Sequence, residues 1–417
     1  MRLSPATLAF PLALALVACG SEAETPEPQP TQSEAAVDDN DADAMASNDP
    51  APGETQAKQY PDSEERPTMQ LQVVLDRLAF SPGVIDGKMG LSTRNAIEGF
   101  QMANDLEPTG EMNDETRAAL AEYDNIAATR VVTIPEEFAV GRFEPVPDDP
   151  AEQAQMQRLG YASLEEKLAE RFHTTVETLR MLNPDGRPAG ADMLGASATQ
   201  RFNDGDAAES GSAPKATPSA SASALPGARE DAENANGSAF AAGQKIRVPN
   251  IGADFMDRRA KLDDEWRSTL RMLGVGTEQP DAARIVVDES EKTLVAYNDS
   301  DEVIATFTVT SGSSNDPLPI GDWKIDGVAH NPPFAYDPDL FWDVPDSEQD
   351  RQLPPGPNGP VGVVWIDLSK EHYGIHGTSA PETIGRAQSH GCVRLTNWDA
   401  ARLAEMVSGS TKVVFQK

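Results

Sequence analysis

The sequence predicts a multidomain chain. Its C-terminal domain, residues 283–417, is mostly antiparallel β, and it is preceded by a small all-α unit at 67–123 and an α+β module within 129–250. Three observations carry this reading. The chain has 417 residues, more than one ordinary domain holds. From Ala283 onward, short β-branched runs alternate with turn residues, the pattern of hairpin-linked strands. Upstream, apolar residues recur at helical spacing in two separate stretches.

The composition narrows the function classes. The formal net charge is −34, which argues against nucleic acid as a partner, because phosphate binding needs a basic face. The same charge argues against electrostatic attachment to anionic lipid. Hydrophobic residues make up 39%, below the globular norm, and the 33 Pro and 31 Gly imply that part of the chain does not pack. Residues 1–18 read as a signal peptide: a basic Met1-Arg2 precedes an apolar run from Ala6 to Ala18, too short to span a bilayer. The run ends Leu16-Val17-Ala18-Cys19-Gly20, which resembles the bacterial lipobox. The resemblance implies a lipid on Cys19, a periplasmic chain and, with Gly20 next, the outer membrane ahead of the inner. Residues 19–66 form an acidic tether. Between 20 and 66, 13 acidic residues face Lys58 and Arg66, a net of −11, with too little apolar surface to offset the entropy of ordering.

Within 67–123, Thr68 is placed to cap a helix bearing Leu71, Val74, Leu75 and Leu78, broken by Ser81-Pro82-Gly83. An internal echo follows: Asp86-Gly87-Lys88-Met89 with Thr93-Arg94 returns as Thr109-Gly110-Glu111-Met112 with Thr116-Arg117. Phe100 and Leu106 stand between the halves as core. The unit is similar to the small helical peptidoglycan-binding domain. Residues 129–150 read as a connector with short extended segments. Residues 158–186 return to helical periodicity and end at Asn183-Pro184, with His173 read as a surface or capping residue. With Gly243-Gln244-Lys245-Ile246-Arg247-Val248-Pro249 these helices resemble a LysM module, although its start reads Tyr161-Ala162-Ser163 and a low-complexity insertion, about 187–240, interrupts it. Residues 251–282 are expected to be a helical linker, with an amphipathic helix over 254–275 packing beside the next domain.

The chemistry concentrates in the last domain. With Cys19 lipidated, Cys392 has no disulfide partner, and a lone exported thiol is exposed to oxidation unless it is buried or used. It sits in Gly374-Ile375-His376-Gly377-Thr378 followed by Ser389-His390-Gly391-Cys392-Val393-Arg394. A thiol at its ordinary pKa of about 8.5 is mostly protonated at neutral pH, and a neighbouring imidazole can take its proton and return it to a leaving amine. Gly391 removes bulk beside the sulfur. Backbone N–H groups at Gly391 and Cys392 suit an oxyanion hole, and Arg394 suits a substrate carboxylate. Two alternatives stand beside this reading. His376, His390 and Cys392 could hold zinc with an open position, though no second Cys or Glu motif accompanies them. The histidines could also be plain core residues.

The His376-Gly377-Thr378 and Ser389-to-Arg394 motifs resemble the signature of the L,D-transpeptidase (YkuD-type) catalytic domain. Pro319-Ile320-Gly321-Asp322-Trp323 and Gly356-Pro357-Asn358-Gly359-Pro360 extend the likeness across about 283–417. The resemblance implies Cys392 as nucleophile and His376 as general base, its second ring nitrogen held by the Gly377 carbonyl. His390 and Ser389 would shape the site, Arg394 would orient a stem peptide, and no metal or cofactor would take part. The stretch 326–355, with Phe334, Tyr336, Phe341 and Trp342, resembles the family's capping loop. The implied partners are peptidoglycan stem peptides and glycan. The acceptor stays open between a neighbouring stem, water and a protein lysine, and the family also implies acylation by carbapenems. The rival readings are a non-catalytic wall tether and a hydrolase using the same Cys and His.

Overall fold

The computed structural model describes residues 61–191 and 238–417, apart from 253, 258, 341–343, 345–347 and 390. Cys19, the signal segment, most of the tether and most of the insertion lie outside the described residues, as do Phe341, Trp342 and His390.

The first unit has three helices: α1 (Pro67–Arg77), α2 (Leu91–Ala103) and α3 (Asp114–Leu120). Thr68 does not cap α1. The helix starts one residue earlier at Pro67, whose fixed φ suits the first turn and whose missing N–H costs nothing there. The echo in the sequence has a physical cause. In the first half, Gln72 Oε1 accepts the Gly87 N–H at 2.8 Å, and its Nε2 donates to the Lys88 carbonyl and to Thr93 Oγ1, both at 3.1 Å. In the second, Gln101 Oε1 accepts Gly110 N–H at 2.9 Å, and its Nε2 donates to the Glu111 carbonyl at 2.9 Å and Thr116 Oγ1 at 2.8 Å. Each buried glutamine ties a left-handed glycine turn to the start of the next helix.

Among the described residues the second unit is built from a strand, two main helices and a strand, with short helical turns at Glu136–Ala139 and Pro150–Gln153. β1 (Thr129–Thr133) lies in the expected connector, ahead of α4 (Leu164–Arg171) and α5 (Val176–Leu182), and pairs antiparallel with β2 (Lys245–Pro249). Ser163 and Thr175 cap the two helices through their side-chain oxygens. Asn183 does more than end α5: its amide bridges the Leu179 and Arg247 carbonyls and accepts the Arg247 N–H, fastening the helix to β2. Met69, Val73 and Ile85 of the first unit enter the same apolar cluster as Leu168, Phe172, Leu179, Ile246 and Val248, so the two units share a core.

The expected helix over 254–275 is shorter. α6 spans Asp264–Leu273, started by Asp263, whose side chain accepts the Trp266 N–H, and stopped by Gly274 at φ +75°. Phe255 is exposed. The strands that follow are β3 (Arg284–Asp288), β4 (Thr293–Tyr297), β5 (Val303–Thr308), β6 (Thr310–Ser311), β7 (Gly321–His330), β8 (Phe334–Tyr336), β9 (Arg351–Leu353), β10 (Val364–Leu368), β11 (Gly374–His376) and β12 (Val393–Arg394). Helix α7 (Asn397–Met406) and β13 (Lys412–Gln416) close the chain. Among the described residues nine strands join one sheet in the order β5-β4-β3-β13-β7-β10-β11-β12-β6. Its outer members, β5 and β6, are one run of chain parted only by Val309, so the sheet curls round toward itself. Pairing is antiparallel except β13 with β3 and β11 with β12. Trp266 and Leu270 of α6 and Trp398 and Leu403 of α7 pack with Ile285, Phe307, Ile366 and Phe415 into the main core. β8 and β9 form a separate hairpin within the stretch expected to cap the site.

The helical units cover this domain. The Ala79–Ser81 turn bonds along β5, with Ser81 N–H to the Thr306 carbonyl at 2.8 Å and Thr306 N–H to the Ala79 carbonyl at 3.1 Å. An exposed strand edge is thereby closed. His173 is not at the surface. It is 1% exposed, with Nδ1 3.1 Å from Asp76 Oδ1, Nε2 3.0 Å from the Leu273 carbonyl and its ring stacked on Trp398 at 4.9 Å. Helical periodicity could not place it, because its partners come from three other elements.

Gly99 of α2 faces Thr306 of β5, and a Cβ there would overlap the threonine side chain. Gly99→Ala gains about 1 kcal/mol of helix propensity but loses more to this overlap, about 1–3 kcal/mol. The expected net result is a lower urea midpoint for the full chain. A midpoint equal to or above wild type would mean that α2 and β5 part at little cost.

Candidate active site

The sheet brings the candidate residues together. β11 and β12 run parallel, with His376 beside Arg394 and Ile375 beside Val393. Cys392 directly precedes β12, so strand pairing brings residues sixteen positions apart to adjacent strands. β12 is fixed on its other side by β6, with Arg394 opposite Thr310.

His376 is 4% exposed and stacks against Trp365 of β10 with centroids 5.6 Å apart. Its Nδ1 lies 2.7 Å from the Gly377 carbonyl oxygen, which can only accept. Nδ1 therefore carries the proton, and Nε2 is the atom with a free lone pair. Burial, followed by the nearby Arg394 charge, lowers the imidazole pKa to about 4 against the pull of the Gly377 carbonyl. Cys392 is half-buried, and its thiol donates to the His372 carbonyl at 3.7 Å. Burial pushes the thiol upward, outweighing the Gly374 N–H and Arg394, which favour the thiolate. At neutral pH the pair thus rests as thiol and neutral imidazole, not as an ion pair.

The loop carrying the sulfur is pinned from both sides. The Ser389 N–H donates to the Gly312 carbonyl at 3.0 Å, and the Ser389 hydroxyl donates to the Cys392 carbonyl at 2.7 Å. Gly391 has φ +96°, and a Cβ there would lie 2.5 Å from the Tyr373 ring. Both its conformation and its neighbour require glycine. Among the described residues no group of three His, Cys, Asp or Glu side chains is placed to hold a metal ion.

Residues 282–415 match the family model described as the L,D-transpeptidase catalytic domain, and residues 66–120 match a peptidoglycan binding domain. L,D-transpeptidase YkuD of Bacillus licheniformis is 34% identical over 140 residues, covering 33% of this chain and 69% of that protein. The chain belongs to the L,D-transpeptidase family. Its YkuD relative in Bacillus subtilis is 49% identical over 67 residues, 16% of this chain and 40% of the relative. The catalytic domain of an Enterococcus faecium L,D-transpeptidase, solved by NMR, is 19% identical with a TM-score of 0.25, covering 33% of this chain and 98% of that one. The enzyme class is that of an acyltransferase, and its partner is peptidoglycan.

In this L,D-transpeptidase several site residues were not singled out from the sequence. Tyr373 packs on Gly391 and is itself pushed upward in pKa by burial, then by Asp316 and Cys392. Trp365 backs the histidine ring. Asn397 crowds Gly377, where an added Cβ would overlap its Oδ1. Tyr373 stands three residues before His376, a spacing that offered a signal; Asn397 offered none, since its role depends on how α7 docks.

A raised thiol pKa has a direct readout. In residues 20–417 Cys392 is the single cysteine. Its rate of alkylation by iodoacetamide is expected to rise with pH through a midpoint above the ordinary thiol value of about 8.5. A fast plateau already present at pH 6–7 would show a preformed thiolate instead.

Proposed function

We propose that Cys392 is the nucleophile and His376 the base of a two-step acyl transfer on peptidoglycan stem peptides. The observation that carries this is the histidine's fixed tautomer: with Nδ1 occupied by Gly377, Nε2 is left as a proton acceptor on the strand beside Cys392. In the first step the Cys392 thiol proton moves to His376 Nε2 as sulfur attacks the carbonyl of the third stem residue at its L-centre. The tetrahedral oxyanion faces the backbone N–H groups of Gly391 and Cys392. Collapse breaks the amide bond, His376 returns the proton to the leaving amine, and D-Ala departs with a thioester left on sulfur. In the second step an acceptor amine attacks the thioester, His376 takes its proton, and the thiol is restored as the new amide forms. A neighbouring stem as acceptor gives a 3-3 cross-link.

Arg394 beside His376 orients the substrate carboxylate and, after burial, its charge helps keep the imidazole neutral and able to accept. Ser389 holds the nucleophile's loop, and the family resemblance assigns His390 a part in shaping the site. The chain acts in the periplasm, held to the membrane by lipid on Cys19, with the outer membrane favoured by Gly20. The strand-helix-helix-strand unit of β1, α4, α5 and β2 resembles a LysM module and would add a second contact to the wall. Tethering of this kind raises the effective concentration of enzyme near an insoluble polymer.

The test is intact mass of residues 20–417 incubated with a purified disaccharide-tetrapeptide, beside Cys392→Ala. Release of D-Ala with dimer formation, abolished by the substitution, is the expected outcome. Release without dimer would point to a hydrolase. No release from either protein would favour a wall tether.

A further inference from the structure

The second unit, read from its own elements as a wall-binding module, reaches into the support of the catalytic histidine. Glu170, in the last turn of α4, is buried, and its Oε1 accepts from Asn397 Nδ2 at 2.6 Å. Asn397 is fully buried at the start of α7. Its Nδ2 also donates to the Pro357 carbonyl at 3.1 Å, and its Oδ1 accepts the Val363 N–H at 3.2 Å. That same Oδ1 lies so close to Gly377 and Gly362 that a Cβ on either would overlap it. Gly377 in turn supplies the carbonyl that holds His376 Nδ1.

The amide of Asn397 has two possible flips, and its acceptors decide between them. Glu170 and Pro357 both demand the N–H₂ side, which turns Oδ1 toward Val363 and Gly377. Of the two, Glu170 gives the shorter bond and comes from outside the catalytic domain. The second unit also grips the 355–362 loop. Leu159 N–H donates to the Pro355 carbonyl and Asn358 N–H to the Leu159 carbonyl, both at 3.0 Å. Asn358 Nδ2 donates to Glu166 Oε1 at 2.6 Å. At Gly356, with φ +154°, a Cβ would overlap the Leu159 carbonyl.

We propose that Glu170 is a positioning residue for the catalytic base: through Asn397 it fixes Gly377 and hence the Nδ1 anchor of His376, so that the second unit serves acyl transfer without touching the reacting atoms. This rests on His376 being the base of a transpeptidase. Burial raises the Glu170 carboxyl to about 7, against hydrogen bonds from Tyr161 and Asn397. A neutral Gln therefore keeps both its shape and its acceptor at this site.

The test compares wild type, Glu170→Ala, Glu170→Asp and Glu170→Gln as full chains labelled with ¹⁵N-histidine, with the His376 signals assigned by their loss in His376→Gln. Two quantities are read: the His376 Nδ1–H resonance, and kcat and KM for D-Ala release. A catalytic group displaced by about 1 Å loses up to about 10²-fold in rate. In Glu170→Ala the expected result is a shifted or lost Nδ1–H resonance and kcat lower by about ten-fold or more, with KM within about two-fold. Glu170→Gln is expected to restore both readings. If the alanine variant does not fold, Glu170→Asp, which withdraws the acceptor by one methylene, decides by the same two readings. A folded alanine or aspartate variant with an unchanged resonance and kcat overturns the proposal, as does a loss that Gln fails to rescue. A wild-type chain that releases no D-Ala refutes the transpeptidase reading, and the resonance still shows whether Glu170 holds the histidine.

Discussion

The structure depends on the burial of helix α7 among all three folded units. Nine of its ten residues are buried, and its polar side chains find partners outside their own domain. Arg402 lies 3.7 Å from Asp76 of α1 and 3.7 Å from Asp254. Asp399 accepts the Ser81 hydroxyl at 2.9 Å. Trp398 stacks on His173, and Asn397 donates to Glu170. Burial alone would drive Asp76 to hold its proton, yet His173 and Arg402 outweigh it and keep the carboxyl below the usual range. A junction of this kind is costly to break from one side, because each lost partner leaves a charge in a dry interior. Asp399, by contrast, is raised to about 6 by burial that Arg402, Thr396 and Ser81 only partly offset.

The same helix sets the site. Its first residue crowds Gly377, and its cap, Thr396, is parted from β12 only by Leu395, so α7 cannot shift without moving the strands β11 and β12. The electrostatics are those of a closed site at rest. Burial raises the thiol and lowers the imidazole, so neither group carries charge at neutral pH. In the proposed acyl transfer, proton transfer is then coupled to attack on the carbonyl, when a developing oxyanion rewards it. A resting thiol also resists oxidation, since thiolate character governs it.

How legible this was varies by element. The hairpin-linked strands, the glycine turns of the echo and the start of α7 carry local signals: β-branched runs, Gly87 and Gly110, and Thr396 as a cap. The His376 and Cys392 motifs were readable because they are short and rich in glycine. The helix expected over 254–275 begins only at Asp264, although Asp263 and Gly274 marked both limits locally. Other features were not legible because non-local partners decide them. β1 falls in the proline-broken connector where short extended segments were expected, but its pairing with β2, more than a hundred residues later, carried no local signal. His173, read as a surface or capping residue, does end α4 with φ +52°, but its burial was not legible because nothing nearby in sequence names Asp76, Leu273 or Trp398 as its neighbours.

By itself, the sequence determined the order of the units, the acidic lead-in and the residue types from which acyl transfer can be built. These rest on local propensity and composition, which neighbours in the chain express directly. Tertiary structure decided which of those residues meet. It set His376 beside β12, closed Tyr373 over Gly391 and joined Glu170 to Asn397. Each of these is a contact between elements distant in sequence, fixed by strand register and by the docking of α7, and no local pattern encodes it.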